Sequence, residues 1–470
     1  MQNAGSCGAT WIALSLAGMY ATTTHAQNPS VPEFNSPAAP AATPGSARAE
    51  LDGNQDETPD SLEQGQTQMQ ESFERRPIEA LLRESRLVGL RDTTFNAQIR
   101  SFYLDRDNYN TSQSQAWTLG GSAGFKTGYF ANFAALGGTA YTSQRLEGPS
   151  DKDGTRLLQP GQQPYTVAGE LYGAFRLTDT LLATVGRRGI DTPFINTRDS
   201  LMTPNTFMVY AVQGETGTTD GSNSLRFGAG FVDKIKLRNA QDFQSMATAA
   251  GAPAGVERGV YVAGANLNAG DLSIGAVGYH SADIIDIIYT ETKYTVPLSG
   301  RVSLRFGAQY TNQHSNGDDL LTGKSFTTDQ YGLKAEIGLG PALLTAARTL
   351  TATGTLSQGS GTDIRSPWGG YPGYTAVQVE NFNRAGENAT LLRFAYNFPK
   401  ITGLSVYGLV VDGSTPTVVG QYARREYDLN VQWKAVKKLT LLARYGHISE
   451  QDPLDRHEDE LRLALYYRLR

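Results

Sequence analysis

The stretch Glu460-Leu461-Arg462-Leu463-Ala464-Leu465-Tyr466-Tyr467-Arg468-Leu469-Arg470 decides how the rest of the chain is read. Leu461, Leu463, Leu465, Tyr467 and Leu469 share one parity, and Glu460, Arg462, Ala464, Tyr466, Arg468 and Arg470 take the other. Successive side chains of a strand point to opposite faces, so this segment has one apolar face and one charged face. Upstream of it, the same alternation recurs back to Thr93. Tight turns fall at about Lys126–Gly128, Leu177–Thr180, Asn268–Asp271, Pro297–Arg301, Gly338–Pro341, Pro399–Gly403 and Ala435–Lys438, with a looser one at Gly214–Ser224. Longer connections lie between them, at Asp105–Gln113, Gln144–Gln163, Gly189–Phe207, Leu237–Arg258, Asn312–Phe326, Thr353–Asn388, Asp412–Gly420 and Ser449–Glu458, with a short one at Ser281–Asp283. Eight turns alternating with nine loops predict about eighteen strands. That pattern is the signature of an all-β, transmembrane antiparallel β-barrel with lipid outside and water inside. Such a sheet must close, because an open edge in lipid leaves backbone groups without partners.

Composition agrees. The 470 residues suffice for two or three soluble domains or one large barrel. Hydrophobic residues make up only 39%, while glycine reaches 51 and tyrosine 23, as suits a wall with one solvated face. No run of 18 apolar residues follows the N-terminus, so no helical span is expected. The apolar run Trp11 to Gly18 followed by Thr24-His25-Ala26 reads as a signal peptide over residues 1–26, although no Lys or Arg precedes it. The only cysteine, Cys7, lies inside that segment, so the mature chain would have neither disulfides nor thiol chemistry. Residues 27–74 hold nine acids and one base, Arg48, and are rich in Pro, Ala and Gln. They cannot bury enough apolar surface to fold and are expected to form a disordered periplasmic extension. Residues 75–92 read as a short helix or linker, with a peptidoglycan tether as the alternative. Residues 93–470 form the barrel. Outside the acidic segment the chain carries 40 bases and 37 acids, so the excess positive charge lies in the barrel.

Carrying the parity through each strand sorts the charges. Val302, Leu304, Phe306, Ala308 and Tyr310 face out, and Ser303, Arg305, Gly307 and Gln309 face in. The inward set becomes Arg100, Arg176, Arg226, Arg305, Arg348, Arg393, Arg444 and Arg462, with Lys126, Lys234, Lys293 and Lys334. Inward acids are fewer: Glu170, Glu291, Glu336, Glu426 and Asp428. A row of guanidiniums can hand an anion from fork to fork. The plain alternative is that a solvated lumen is polar by necessity. Aromatics near strand ends (Tyr129, Tyr141, Tyr294, Tyr310, Trp433, Tyr445, Tyr467) suit interface girdles.

Two long loops carry further polar groups. Gly189–Phe207 is stiffened by Pro193 and Pro204 and presents Asp191, Arg198, Asp199 and Asn205. Thr353–Asn388 presents Asp363, Arg365, Trp368 and Tyr371. Loops of this length are usually functional or disordered, and their Trp, Tyr and Pro content argues against disorder. Folded into the lumen, they would narrow it to an eyelet. Other motifs point to ordinary structure. His280-Ser281 lacks an acid placed to orient the imidazole for hydrolysis. Asn316-Gly317-Asp318-Asp319 offers too few ligands for calcium. Gly120, Gly121 and Gly124 have no β-α-β context for a phosphate loop.

The stretch Val185–Phe207, the segment Gly230–Asn239 with Asp242–Met246, and Ile364–Tyr374 with Asn381–Glu387 resemble the OprD family of outer-membrane porins, over about residues 75–470. The resemblance implies an eighteen-stranded, substrate-selective channel with an inward-folded third extracellular loop and a basic lumen ladder. Many members of the family favour small carboxylate-bearing solutes, and others are suspected of passing sugars. The expectation is passive diffusion of small anionic or zwitterionic solutes, such as amino acids and small organic or aromatic acids, across a bacterial outer membrane. No cofactor, metal, enzymatic step or nucleic acid is expected. Lipid, lipopolysaccharide and the barrel-assembly machinery are the expected partners, and a homotrimer stays open beside a monomer. Two rivals are a general or oligosaccharide-selective porin, with Trp368, Tyr371 and Tyr374 stacking on sugars, and a structural or adhesive barrel. The chain departs from the family in its long acidic extension and in ending on Arg470 where an outward aromatic is usual.

Overall fold

The computed structural model describes residues 88–469 apart from 219–222, 297, 299–301, 357–361 and 455. The expected signal peptide, the acidic extension and most of the 75–92 linker lie outside the described residues. Val88–Arg91 forms one helical turn, α1. The strands are β1 (Thr94–Asp107), β2 (Gln113–Lys126), β3 (Ala134–Glu147), β4 (Tyr165–Arg176), β5 (Leu181–Arg188), β6 (Thr206–Gly217) and β7 (Asn223–Lys236). They continue with β9 (Val260–Ala269), β10 (Leu272–Ser281), β11 (Ile285–Val296), β12 (Val302–His314), β13 (Phe326–Leu339) and β14 (Ala342–Thr351). The last five are β16 (Asn388–Asn397), β17 (Leu404–Gly413), β18 (Arg424–Val436), β19 (Leu439–Glu450) and β20 (His457–Arg468). Two two-residue strands, β8 (Gln244–Ser245) and β15 (Thr355–Leu356), pair inside loops. A second short helix, α2, covers Met246–Ala250.

Each long strand pairs antiparallel with the next. β1 also pairs with β20, from Gln98 opposite Arg468 to Asp107 opposite Asp459. The result is a closed, eighteen-stranded antiparallel barrel. No helix among the described residues is long and apolar enough to cross a membrane. The apolar parity faces outward as expected: Leu333, Phe306, Leu463 and Tyr467 are exposed on the wall, while Arg305, Arg444 and Arg462 point in. The glycines of β2 let the wall curve. At Gly121, with φ of +136°, an added Cβ would sit 1.9 Å from the Gln98 carbonyl oxygen.

Two expected inward bases are on the other face. A β-bulge sets Lys234 opposite Met208, on the outward parity of Tyr210 and Val212. Arg348 is exposed and lies in register with Leu333 on β13 and Thr390 on β16, on the same side as Leu344 and Leu350. The opposite parity of β14 holds Thr345, Thr349 and Thr351, all buried inside the barrel. Three inward hydroxyls fix the strand's orientation against the preference of its single arginine. A charge on the lipid face is costly in proportion to its depth. Arg348→Leu is therefore expected to raise stability to urea-driven unfolding from vesicles by about 1–3 kcal/mol and to leave conductance unchanged.

Candidate functional site

Loop 3 (189–205) and loop 7 (352–387) fold into the barrel and meet inside it. Asn196 joins them. Its Nδ2 donates to the Gly370 carbonyl at 3.0 Å and its Oδ1 accepts from the Gly370 amide at 2.7 Å. Beside it, Ile195 and Trp368 form a parallel bridge. The Phe194 ring packs edge-on against Tyr279, Tyr289 and Tyr371 at 6.0–6.2 Å. Gly369 must be small, since a Cβ there would lie 2.5 Å from Asn196 Oδ1.

The wall holds loop 3 through one of its arginines. The Arg100 guanidinium forks both Asp199 oxygens at 2.5 and 2.6 Å and reaches the Leu201 carbonyl at 2.9 Å. Within the loop, Asp191 accepts from the Thr197 amide and hydroxyl, both at 2.7 Å. Asn205 donates to the Asn196 carbonyl and accepts from the Arg238 amide. Arg198 is half-buried with a left-handed φ of 42°.

The described residues of loop 7 are tied to the wall and, through Trp368, to α2. Gln313 makes a pair of bonds to the Arg365 main chain, at 2.7 and 2.8 Å. Trp368 Nε1 donates to the Met246 carbonyl at 2.8 Å, Tyr371 to Gln330, and Tyr374 to Glu291 at 2.8 Å. Asp428 takes the Gln378 amide, and Glu426 takes those of Val379 and Glu380 at 2.7 and 3.0 Å. On the return leg Asp363 accepts from the Ala385 amide. Glu387 is forked by Arg424 at 2.8 and 2.9 Å, and Arg424 also meets Glu380 at 2.7 Å.

These anchors change the charge seen in the lumen. Glu426, Asp428 and Glu291, expected as free inward acids, hold the folded loop. Several expected ladder bases are likewise in ion pairs: Arg100 with Asp199, Arg226 with Glu215 at 3.2 Å, Arg305 with Glu336 at 2.8 Å, and Arg462 with Glu460 at 2.6 Å. Arg176, at the end of its strand, lies over the Tyr129 ring at 4.4 Å. Arg393 sits 5.7 Å from the Tyr407 ring. Arg444 and Arg462 stand directly opposite each other on β19 and β20, both pointing inward.

Sequence reading missed the residues that join distant segments: Asn196, Gln313, Gln330, Gln378 and Arg424. Gln313 and Gln330 had a signal, being inward amides near strand ends facing long loops. The stacking role considered for Trp368, Tyr371 and Tyr374 does not fit. They are 0%, 1% and 9% exposed, packed between loop and wall, and offer no free ring face to a sugar.

Burial pushes the Asp191 carboxyl up, the nearby Asp199 and Glu170 add to this, and its bonds to Thr197 oppose it. The folded loop thus holds this proton more tightly than the open chain does. That advantage is complete below the ordinary carboxylate range and is lost as pH rises through the folded value. Loop 3 excursions, read as gating events in single-channel traces, should become a few-fold more frequent as pH rises. Asp191→Asn keeps an acceptor for Thr197 without the buried charge, and its gating should be flat with pH.

A family model described as outer membrane porin, OprD family, matches residues 90–470. No curated protein matches the sequence. Among solved structures, OccK9 (OpdG) of Pseudomonas aeruginosa is similar with a TM-score of 0.70 at 20% identity, over 81% of this chain and 99% of that one. OccAB3 of Acinetobacter baumannii gives 0.70 at 15% identity over the same shares. OpdK of Pseudomonas aeruginosa, solved with vanillate, gives 0.65 at 19% identity, again over 81% and 99%.

Proposed function

This chain belongs to the OprD family of outer-membrane porins, and on that premise we propose that it conducts small carboxylate-bearing solutes by passive diffusion, through an eyelet formed by loops 3 and 7. The observation that carries the solute class is the in-register pair Arg444 and Arg462 on the inner face. Like charges directly opposite each other on neighbouring strands repel. An anion there relieves that repulsion, with Arg444 as the fork for its carboxylate, since the Arg462 guanidinium already holds Glu460 and the Gln378 carbonyl. Of the carboxylates nearby, Glu426 and Asp428 hold loop 7 and Glu460 pairs with Arg462 as well as Arg106, so Arg444 is the base proposed to meet the solute. The fold likeness to OpdK, solved with vanillate, a carboxylate, is consistent with this reading.

Reversal potentials in a salt gradient across a planar bilayer test it. The expected result is anion preference that falls when Arg444 is replaced by alanine. Cation preference in the unaltered channel would count against the proposal.

A further inference from the structure

The charge of the chain is split between its N-terminal extension and one side of the periplasmic mouth. Residues 50–74 hold eight acids, from Glu50 to Glu74, and no base. Residues 75–87 follow with four arginines and two glutamates, so six of the eight negative charges have no local match. The described chain then starts at α1, which is fixed to the turn between β2 and β3. There the Gly128 amide donates to the Gly89 carbonyl at 2.9 Å. Gly89 packs so closely on Phe130 that a Cβ would lie 2.5 Å from the ring. Short turns mark the periplasmic end of such a barrel, so the acidic stretch meets the wall at the periplasmic mouth.

That entry point lies within a basic arc of the rim, which runs from β16 through β20 and β1 to β5. Lys400 lies in the β16–β17 turn, Lys434, Lys437 and Lys438 lie at the β18–β19 turn, and Arg468 ends β20. Arg91 belongs to α1, Lys126 ends β2 and Arg176 ends β4. The acids of the same arc are Asp179, in the β4–β5 turn, and Asp92, which pairs with Arg91 at 3.2 Å. Eight bases against two acids leave six positive charges. The rest of the described rim has no such excess: Arg226 pairs with Glu215, and Asp271 stands in the β9–β10 turn. Deeper on that side, Lys293 meets Glu291 and Arg305 meets Glu336. Arg91, Lys400, Lys437, Lys438 and Arg468 are exposed.

We propose that Glu50–Glu74 docks on this basic arc of its own chain and acts as a tethered counter-charge, competing with anionic solutes at the periplasmic mouth. Charge complementarity and reach both favour this occupant. The thirteen residues 75–87 join the two charge groups, and fully extended they span about 45 Å. A mouth of eighteen strands, about 4.8 Å apart and tilted by about 40°, is about 36 Å across. Every base of the arc is therefore within reach. The tether makes docking intramolecular, at an effective concentration of about millimolar, so weak contacts suffice. Such contacts are sensitive to salt, because charges are screened beyond about 10 Å at 0.1 M and about 3 Å at 1 M.

The test has two readings on the full chain. In detergent, a water-soluble carbodiimide joins carboxylates to lysine amines, and peptide mass spectrometry finds the pairs. Links from residues 50–74 to Lys400, Lys437 and Lys438 are expected at about 0.1 M salt and should be lost at about 1 M. Lys152 and Lys324, in extracellular loops, are the controls. In planar bilayers, replacing the eight acids by asparagine and glutamine should raise the anion-to-cation permeability ratio a few-fold at the lower salt. In K400Q/K437Q/K438Q the same neutralisation should shift the ratio much less. Each shift compares two chains, so it is readable whichever ion the unaltered channel prefers, and a failure of the carboxylate reading stays distinct from a failure of docking. Links to Lys152 or Lys324 as frequent as those to the rim lysines would overturn the proposal. So would an unchanged ratio on neutralising the acids, or an equal shift in the triple-lysine background. A segment that serves a separate periplasmic partner gives no links to the rim lysines, which overturns it as well.

Discussion

Replacing Arg424 by methionine is expected to free the return leg of loop 7 and raise the single-channel conductance. Arg424 and Glu387 are both completely buried, and the fork between them ties that leg where it rejoins the wall at Asn388. Removing one partner of a buried pair leaves an uncompensated charge, at a cost of about 3–5 kcal/mol. Arg424 also stands over the Phe382 ring at 4.7 Å, so apolar packing is lost with the charge. The barrel wall does not depend on this contact. β18 keeps its ladders to β17 and β19 with or without it. The cheapest response is for the leg to leave the lumen so that Glu387 finds water. The expected readings are higher conductance, noisier traces and protease cleavage between Glu380 and Asn388. Adding Glu387→Gln should restore part of the closed behaviour, because the stranded charge is then gone. Unchanged conductance in Arg424→Met would show that loop 7 is not what narrows the channel.

The second large effect concerns Arg444. Arg444→Ala is expected to lower the permeation of a small carboxylate about tenfold, which corresponds to 1.4 kcal/mol, while a neutral solute of equal size passes as before. Arg444→Lys should recover much of the loss, because position and charge are kept even though the fork is not. Arg462 is the poorer target. Its guanidinium also holds Glu460 and the Gln378 carbonyl, so its removal loosens loop 7 as well. An equal fall for charged and neutral solutes in Arg444→Ala would mean that the change acts on pore width.

Strand number and most facing were legible because lipid demands one apolar parity from every strand. β20 shows this plainly, with Leu461, Leu463, Leu465 and Tyr467 all outward. The reading fails where the lumen is not water. Leu343, Leu391, Leu409 and Val411 point inward and pack against loop 7 with Val377 and Phe382. There the inner face is apolar too, the contrast between parities fades, and alternation alone puts Arg348 on the wrong side. The loops were legible as ordered segments through their Pro, Trp and Tyr content, but their partners were not. Asn196 and Gly370 are 174 residues apart, and nothing local marks either as half of a joint. Arg100 and Asp199 were each visible, one as a wall base and one as a loop acid. That they neutralise each other follows only from the third loop's inward path. Parity thus sorts charge to the inner face, and the loops then decide which of those charges a solute can use.

The most direct test of the account compares two solutes of nearly the same size, benzoate and benzamide, entering liposomes that contain the channel. The account predicts faster entry of benzoate, with the advantage lost in Arg444→Ala. Equal rates, or faster entry of benzamide, would contradict it.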